Sequence, residues 1–90
     1  MKTKLYQVII AKSDSSDDNL YTYAFPPITS EKVERIRFNE VIAAEIEEAR
    51  EEADGTPVIT ESENEFEMKY TRNSASQVVQ VRLKEYEVEI

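Results

Sequence analysis

Between Glu65 and Leu83 the chain reads "EFEMKYTRNSASQVVQVRL", with apolar residues at alternate positions on both sides of a polar centre. A period of two marks strands with one buried face, because successive side chains point to opposite sides of a sheet. Phe66, Met68 and Tyr70 define one arm, and Val79, Val81 and Leu83 the other, around a turn in "RNSASQ" (72–77). With Thr71 facing Val78, Tyr70 meets Val79, Met68 meets Val81 and Phe66 meets Leu83 on the apolar side. The same register sets Glu67 against Arg82 and Glu65 against Lys84 on the other. Past Leu83 the apolar phase moves to Tyr86, Val88 and Ile90, which predicts a bulge near Lys84 or Glu85. A hairpin of this kind needs a cover for its apolar face, so the fold must bring a second layer.

That layer is legible in "NEVIAAEIEEAREEADG" (39–55), where Phe38, Ile42, Ile46, Ala49 and Ala53 share one helical arc with Val41 at its edge. Asn39 is a good cap for a helix over 40–54, with Gly55 as its C′ residue and Pro57 beyond. Ser30 is the other candidate cap, for a helix running on to Asp54. The intervening 33–38 reads either as extended chain or as a short helical turn. Upstream, "KLYQVIIAK" (4–12) has apolar residues on both faces and predicts a central strand. After the polar loop "SDSSDDN" (13–19), "LYTYAF" (20–25) pairs back on it, with Tyr21, Tyr23 and Phe25 on one side. Pro26-Pro27 ends that strand, since proline cannot donate to a ladder. "PVIT" (57–60) is a candidate extra strand. The expectation is a single α+β domain over 1–90, an antiparallel sheet of four to five strands with one main α-helix on one face, in ββαββ order.

Composition narrows the chemistry. The chain holds no Cys and no His, and Gly55 is its single glycine. Thiolate nucleophiles, zinc–thiolate centres, imidazole bases and glycine-rich phosphate cradles all lack their residues. No catalytic residue, cofactor or metal site is expected. Asp14, Asp17 and Asp18 do not follow the alternating ligand pattern of a calcium loop, and a turn accounts for them. The start "MKTKLYQVII" sets lysines before a short apolar run, but it reads as a strand rather than a signal peptide. The longest apolar runs, "VII" and "VIAA", fall far short of a bilayer span, so a cytoplasmic chain without membrane contact is expected.

Charge is the most uneven property of the sequence. Nineteen acidic and eleven basic residues give a net −8. Residues 1–39 sum to +1 and residues 71–90 to zero, so the excess of −9 lies within 40–70. On the helix, Glu40, Glu47, Glu51 and Asp54 form a stripe opposite the apolar arc, flanked by Glu45, Glu48 and Glu52. Glu47/Glu51 and Glu48/Glu52 are like-charge pairs four apart, and the carboxylates crowd the negative end of the helix dipole. Glu61, Glu63, Glu65 and Glu67 alternate, which would set them on one strand face. Such a chain repels nucleic acid and anionic membranes and attracts basic partners.

Small size, acidity and the lack of catalytic residue types resemble, as a profile rather than an alignable motif, the phage and mobile-element inhibitors that imitate DNA. The resemblance implies a binding protein that blocks the positively charged DNA- or RNA-binding site of a host protein. Anti-CRISPR and anti-restriction or anti-repair inhibitors are the type, working in the cytoplasm of the host cell. Glu40, Glu47, Glu48, Glu51, Glu52 and Asp54, with Glu61 and Glu63, are the expected contact residues. The alternative is a structural protein that forms a homodimer or larger homo-oligomer through strand edges, its acidic surface serving solubility alone.

Overall fold

The computed structural model describes residues 1–89, and of residues 17–19 the backbone alone. Five strands and one helix follow in the order β1 (Lys2–Asp14), β2 (Asp17–Ala24), α1 (Glu31–Glu52), β3 (Val58–Glu61), β4 (Glu65–Arg72) and β5 (Ala75–Glu89). The α+β class is as expected, but the order is ββαβββ rather than ββαββ, because the short segment after the helix pairs with β4 as a full sheet member. All neighbours are antiparallel and the spatial order is β2-β1-β5-β4-β3. The helix carries the chain across one face from the β2 edge to the β3 edge, and the β3-β4-β5 meander returns it to β1.

Alternation decides which residues meet the helix. Val8 and Ile10 of β1, Val79, Val81 and Leu83 of β5, and Phe66 and Met68 of β4 are buried beneath Phe38 and Ala49 of α1. Val41, Ile42 and Ile46 pack against this core half-buried, as the helical arc predicts. The core is therefore one layer deep, and no element of the described residues covers the opposite face of the sheet.

The second hairpin departs from its expected register by two residues. Met68 pairs with Val79, Phe66 with Val81, Tyr70 with Gln77, and Glu65 with Arg82. The cause is the turn. Pairing continues to Arg72 and Ala75, leaving only Asn73 and Ser74 to reverse the chain, with φ of 50° and 68°. A two-residue loop with both φ positive matches the twist of the flanking strands, whereas the six-residue turn of the sequence reading would not require it. A slip of two keeps every side chain on its face, so the core survives the change.

No bulge interrupts β5, which stays in register with β1 from Lys2↔Glu89 to Asp14↔Gln77. Glu85, Glu87 and Glu89 simply occupy the helix-side positions where the ladder runs beyond the core. Lys4 reaches Glu85 at 3.3 Å and Lys2 reaches Glu87 at 3.9 Å there. Tyr86 and Val88 take the opposite face, and Ile90 lies outside the described residues.

The helix begins at the earlier of its two candidate caps. Ser30 is extended (φ −89°, ψ 107°) and its hydroxyl accepts from the Val33 N–H at 3.2 Å. Asn39 lies inside the helix. At the other end α1 stops at Glu52, with Ala53 as cap, and Gly55 has no positive φ. The chain leaves extended because the Asp54 N–H donates to the Thr71 carbonyl at 2.7 Å, which ties the exit to β4.

Glu34 explains why the helix extends so far forward. β2 leaves the sheet at Pro26-Pro27, so the Val8 N–H has no strand partner, although the Phe25 N–H still donates to the Val8 carbonyl at 3.0 Å. The Glu34 side chain, fully buried, reaches into the gap and accepts from the Val8 N–H at 3.0 Å. Its other oxygen lies 3.3 Å from the Arg37 guanidinium, which stacks 4.8 Å from the centre of the Phe25 ring. A carboxylate thus serves as a substitute strand partner, fixing the first turns of α1 to β1.

Replacing Glu34 by Ala strips the acceptor from a buried N–H and leaves a void. A loss of about 2–4 kcal/mol is expected in the denaturant midpoint analysis. Ser74→Gly is expected to act in the opposite sense, adding about 0.5–1 kcal/mol in the same assay, because only glycine meets a positive φ without steric cost.

Candidate functional site

The outer side and flanks of α1 are rich in carboxylates, which separate into two kinds. Those on the flanks reach counter-ions on the sheet. Lys12 of β1 bonds Glu45 at 2.7 Å and approaches Glu48 at 3.7 Å. Burial works against the charge on Lys12, but Glu45 and Glu48 outweigh it, so the ammonium holds its proton more tightly than usual. At the C-terminal end Arg72 of β4 bonds Glu52 at 2.9 Å and touches Asp14 at 3.4 Å, and its hydrogen bond to Glu52 strengthens its own hold on its proton.

The ridge pointing away from the sheet has no such partners. Glu40, Glu47 and Glu51 are exposed and take part in no ion pair or hydrogen bond among the described residues. At 1.5 Å per residue they lie about 10.5 Å and 6 Å apart along the axis. Ile36, 49% exposed, lies one turn before the row, and Ala43 falls between Glu40 and Glu47. Arg50 lies in the last helical turn on an exposed position beside this row.

Of the eight carboxylates expected to act together, then, three form the free ridge and Glu48 stands beside it, half-exposed and sharing Lys12. Glu52 and Asp54 do structural work. The first neutralises Arg72, and the second accepts from the Ser74 N–H at 3.3 Å and so braces the β4–β5 turn. Glu61 and Glu63 do not continue the ridge. The chain reverses between them and Glu65, with the Ser62 N–H donating to the Glu65 carbonyl at 2.8 Å, so the four alternating glutamates do not share a face. Glu61 pairs opposite Phe66 on the helix side of the β3 edge, while Glu65 and Glu67 point to the other side, beside Arg82 and Gln80. Glu63 offers its backbone carbonyl to Arg35 at 2.6 Å, which fastens this turn to the helix.

Two residues escaped the sequence reading. Glu34 looked like one more surface glutamate, and only its place under the β2 exit reveals its role. Lys12 could have been flagged as a cation inside an apolar strand on the helix-facing parity. Tyr21 and Tyr23, on the same side of β2 as Phe25, are 57% and 44% exposed, with Tyr23 edge-on to Phe25 at 5.0 Å. The polar loop after β1 contracts to Ser15-Ser16, where Asp14 accepts from the Ser16 N–H at 2.8 Å and its hydroxyl at 2.7 Å. Asp14 is thus a turn residue; the side chains of Asp17 and Asp18 lie outside the described residues. No described helix is long and apolar enough to cross a membrane. Comparisons with protein-family models, with curated proteins and with solved structures found no match.

The Gln77 amide, the Ser16 hydroxyl and the Ser16 N–H hold the Asp14 carboxyl down from its ordinary 3.8 to about 2, with Arg72 adding to the effect. Gln80 and Lys69 likewise lower Glu67. Both groups bind fewer protons folded than unfolded, so stability rises with pH through this range and is lost as acid is added. Urea midpoints are expected to fall as pH drops from about 4 toward 2, and Asp14→Asn to flatten that slope.

Proposed function

We propose that this chain is a binding protein that uses the outer ridge of α1 to occupy a positively charged nucleic-acid-binding site on another protein. The observation that carries the reading is the row Glu40, Glu47 and Glu51, exposed and without counter-ions, while the cations of the neighbouring strands neutralise the flanks instead. One nucleic-acid strand presents a charge about every 3.4 Å of axis, so intervals of about 6 and 10.5 Å compare with two and three phosphates. A basic groove shaped for phosphates can accept carboxylates at such intervals. Glu48 widens the row on one side, and Ile36 supplies apolar contact at its start.

The ridge also costs the helix stability. Glu47 and Glu51 repel each other four residues apart, and Glu51 stands where the helix dipole is negative. A surface kept for solubility alone could carry a lysine at position 51, which would pair with Glu47 four residues before it and suit the negative end of the helix dipole. The partner fitting this surface is a nucleic-acid-binding protein such as a CRISPR effector or a restriction or repair enzyme, with encounter steered by charge and weakened by salt.

Capture from a bacterial lysate, with and without excess duplex DNA, tests the reading. A basic nucleic-acid-binding protein is expected to be recovered, and to be lost both with DNA and at high salt. The Glu47→Lys/Glu51→Lys double variant is expected to lose this partner while keeping the circular dichroism spectrum of the parent. Glu51→Lys alone is expected to melt higher, by the equivalent of about 0.5–1 kcal/mol, because a lysine there would pair with Glu47 and suit the helix dipole. Retained binding in that variant would sink the proposal.

A further inference from the structure

The five-stranded sheet has a second face that no part of the described chain covers. Register assigns it Thr3, Leu5, Gln7, Ile9 and Ala11 from β1 and Val78, Gln80, Arg82, Lys84, Tyr86 and Val88 from β5, with β2, β3 and β4 on either side. An antiparallel sheet facing water usually turns polar residues outward. Here Leu5, Tyr86 and Val88, and beyond the Gln7–Lys84 pair Ile9 and Ala11, place apolar side chains along the two central strands, each partly buried by its neighbours. The polar tip of Tyr86 is already satisfied, its hydroxyl donating to the Gln7 side chain at 2.7 Å, which in turn donates to the Phe25 carbonyl at 2.9 Å. The ring is thereby held on the face as an apolar plate.

We infer that this open face is a homodimer interface, on which a second copy of the chain packs sheet against sheet with the helices outward. Two independent observations favour a second copy. The first is charge. The face bears Lys69, Arg82 and Lys84 against Glu65 and Glu67, a net +1 in a chain of net −8. Glu65 lies 3.5 Å from Arg82 and Glu67 3.4 Å from Lys69, so these charges are largely matched within one copy. Two chains of strong like charge can meet here, whereas contact through α1 would oppose their carboxylate ridges.

The second is area. The chain exposes 6150 Å², whereas a compact monomer of its mass exposes about 5,400 Å². Part of that excess of about 750 Å² comes from the elongated outline of 51 × 24 × 17 Å and part from the uncovered face, on the scale of the roughly 800 Å² that each partner contributes to a standard interface. The radius of gyration agrees, at 14.8 Å against about 12 Å for a compact chain of this length. A two-fold axis through the face would bury the same residues on both copies, about 10 Å apart as in sheet sandwiches. It would present two acidic ridges on opposite outer sides.

Sedimentation equilibrium or light scattering on the intact chain tests this, over micromolar to hundred-micromolar concentrations and in high salt. The expected mass is twice the 10.4 kDa of the chain, retained in high salt because the contact is apolar. Ile9→Lys places a charge on this face and is expected to give the monomer mass with an unchanged circular dichroism spectrum. Val88→Lys makes the same test beyond the helix-covered core, where folding does not depend on the side chain. A parent that stays monomeric at the highest concentration overturns the inference, because the face then serves water or a different partner. A dimer that survives in folded Ile9→Lys and Val88→Lys chains overturns it too, because the copies then meet along strand edges.

Discussion

The ladder between β1 and β5 joins the two ends of the chain along thirteen paired positions, from Lys2↔Glu89 to Asp14↔Gln77. Everything else hangs from it. Apart from this ladder, the contact of Arg72 with Asp14 and the bonds between Ser15 and Ser76, the β1–β2 hairpin and the β3–β4–β5 meander are joined through α1, and the core forms where the helix lies across this pair. Val8 faces Leu83 and Ile10 faces Val81, so the central apolar contacts are made between residues more than seventy positions apart in sequence. Such pairing is paid for in loop-closure entropy before burial returns anything, which places the fold among the slower-forming topologies of its size. Beyond the core the ladder continues as a ribbon flanked by Lys4–Glu85 and Lys2–Glu87, exposed pairs that water and salt screen.

A single helix over five strands has a second consequence, for charge. Side chains on the flanks of α1 hang over the sheet, where Lys12 and Arg72 can reach them. Side chains on the outer ridge point away from the strands, and Glu40, Glu47 and Glu51 meet no cation among the described residues. The acidity of residues 40–70 is therefore not spread evenly over a surface. It divides into a structural part, which ties helix to sheet, and a free part along Glu40, Glu47 and Glu51. The open sheet face, on the far side from both, is left nearly neutral.

Much of this was legible in the residues. Alternation in 65–83 gives the parity of both strands, and the arc from Phe38 to Ala53 gives the face of the helix, because these periodicities follow from backbone geometry alone. The errors arose where that geometry leaves a choice. Register slips of two preserve parity, so only the two-residue turn at Asn73-Ser74 could choose between them. Both candidate caps had suitable chemistry, and Ser30 prevailed because Glu34 was needed under the β2 exit. The apolar shift after Leu83 looked like a bulge because a pattern cannot show where a helix stops covering a strand.

By itself, then, the sequence determined the class of the fold, the faces of its strands and helix, and the third of the chain in which the acid is concentrated, all properties set by neighbours within a few residues. Tertiary structure alone decided which carboxylates are free. That outcome depends on which cations lie within about 4 Å of them, and Lys12 with Glu45, Arg72 with Glu52 and Val8 with Glu34 are brought together only when the sheet closes beneath the helix. It also decided that one face of the sheet remains open, because one helix is too narrow to cover two sides.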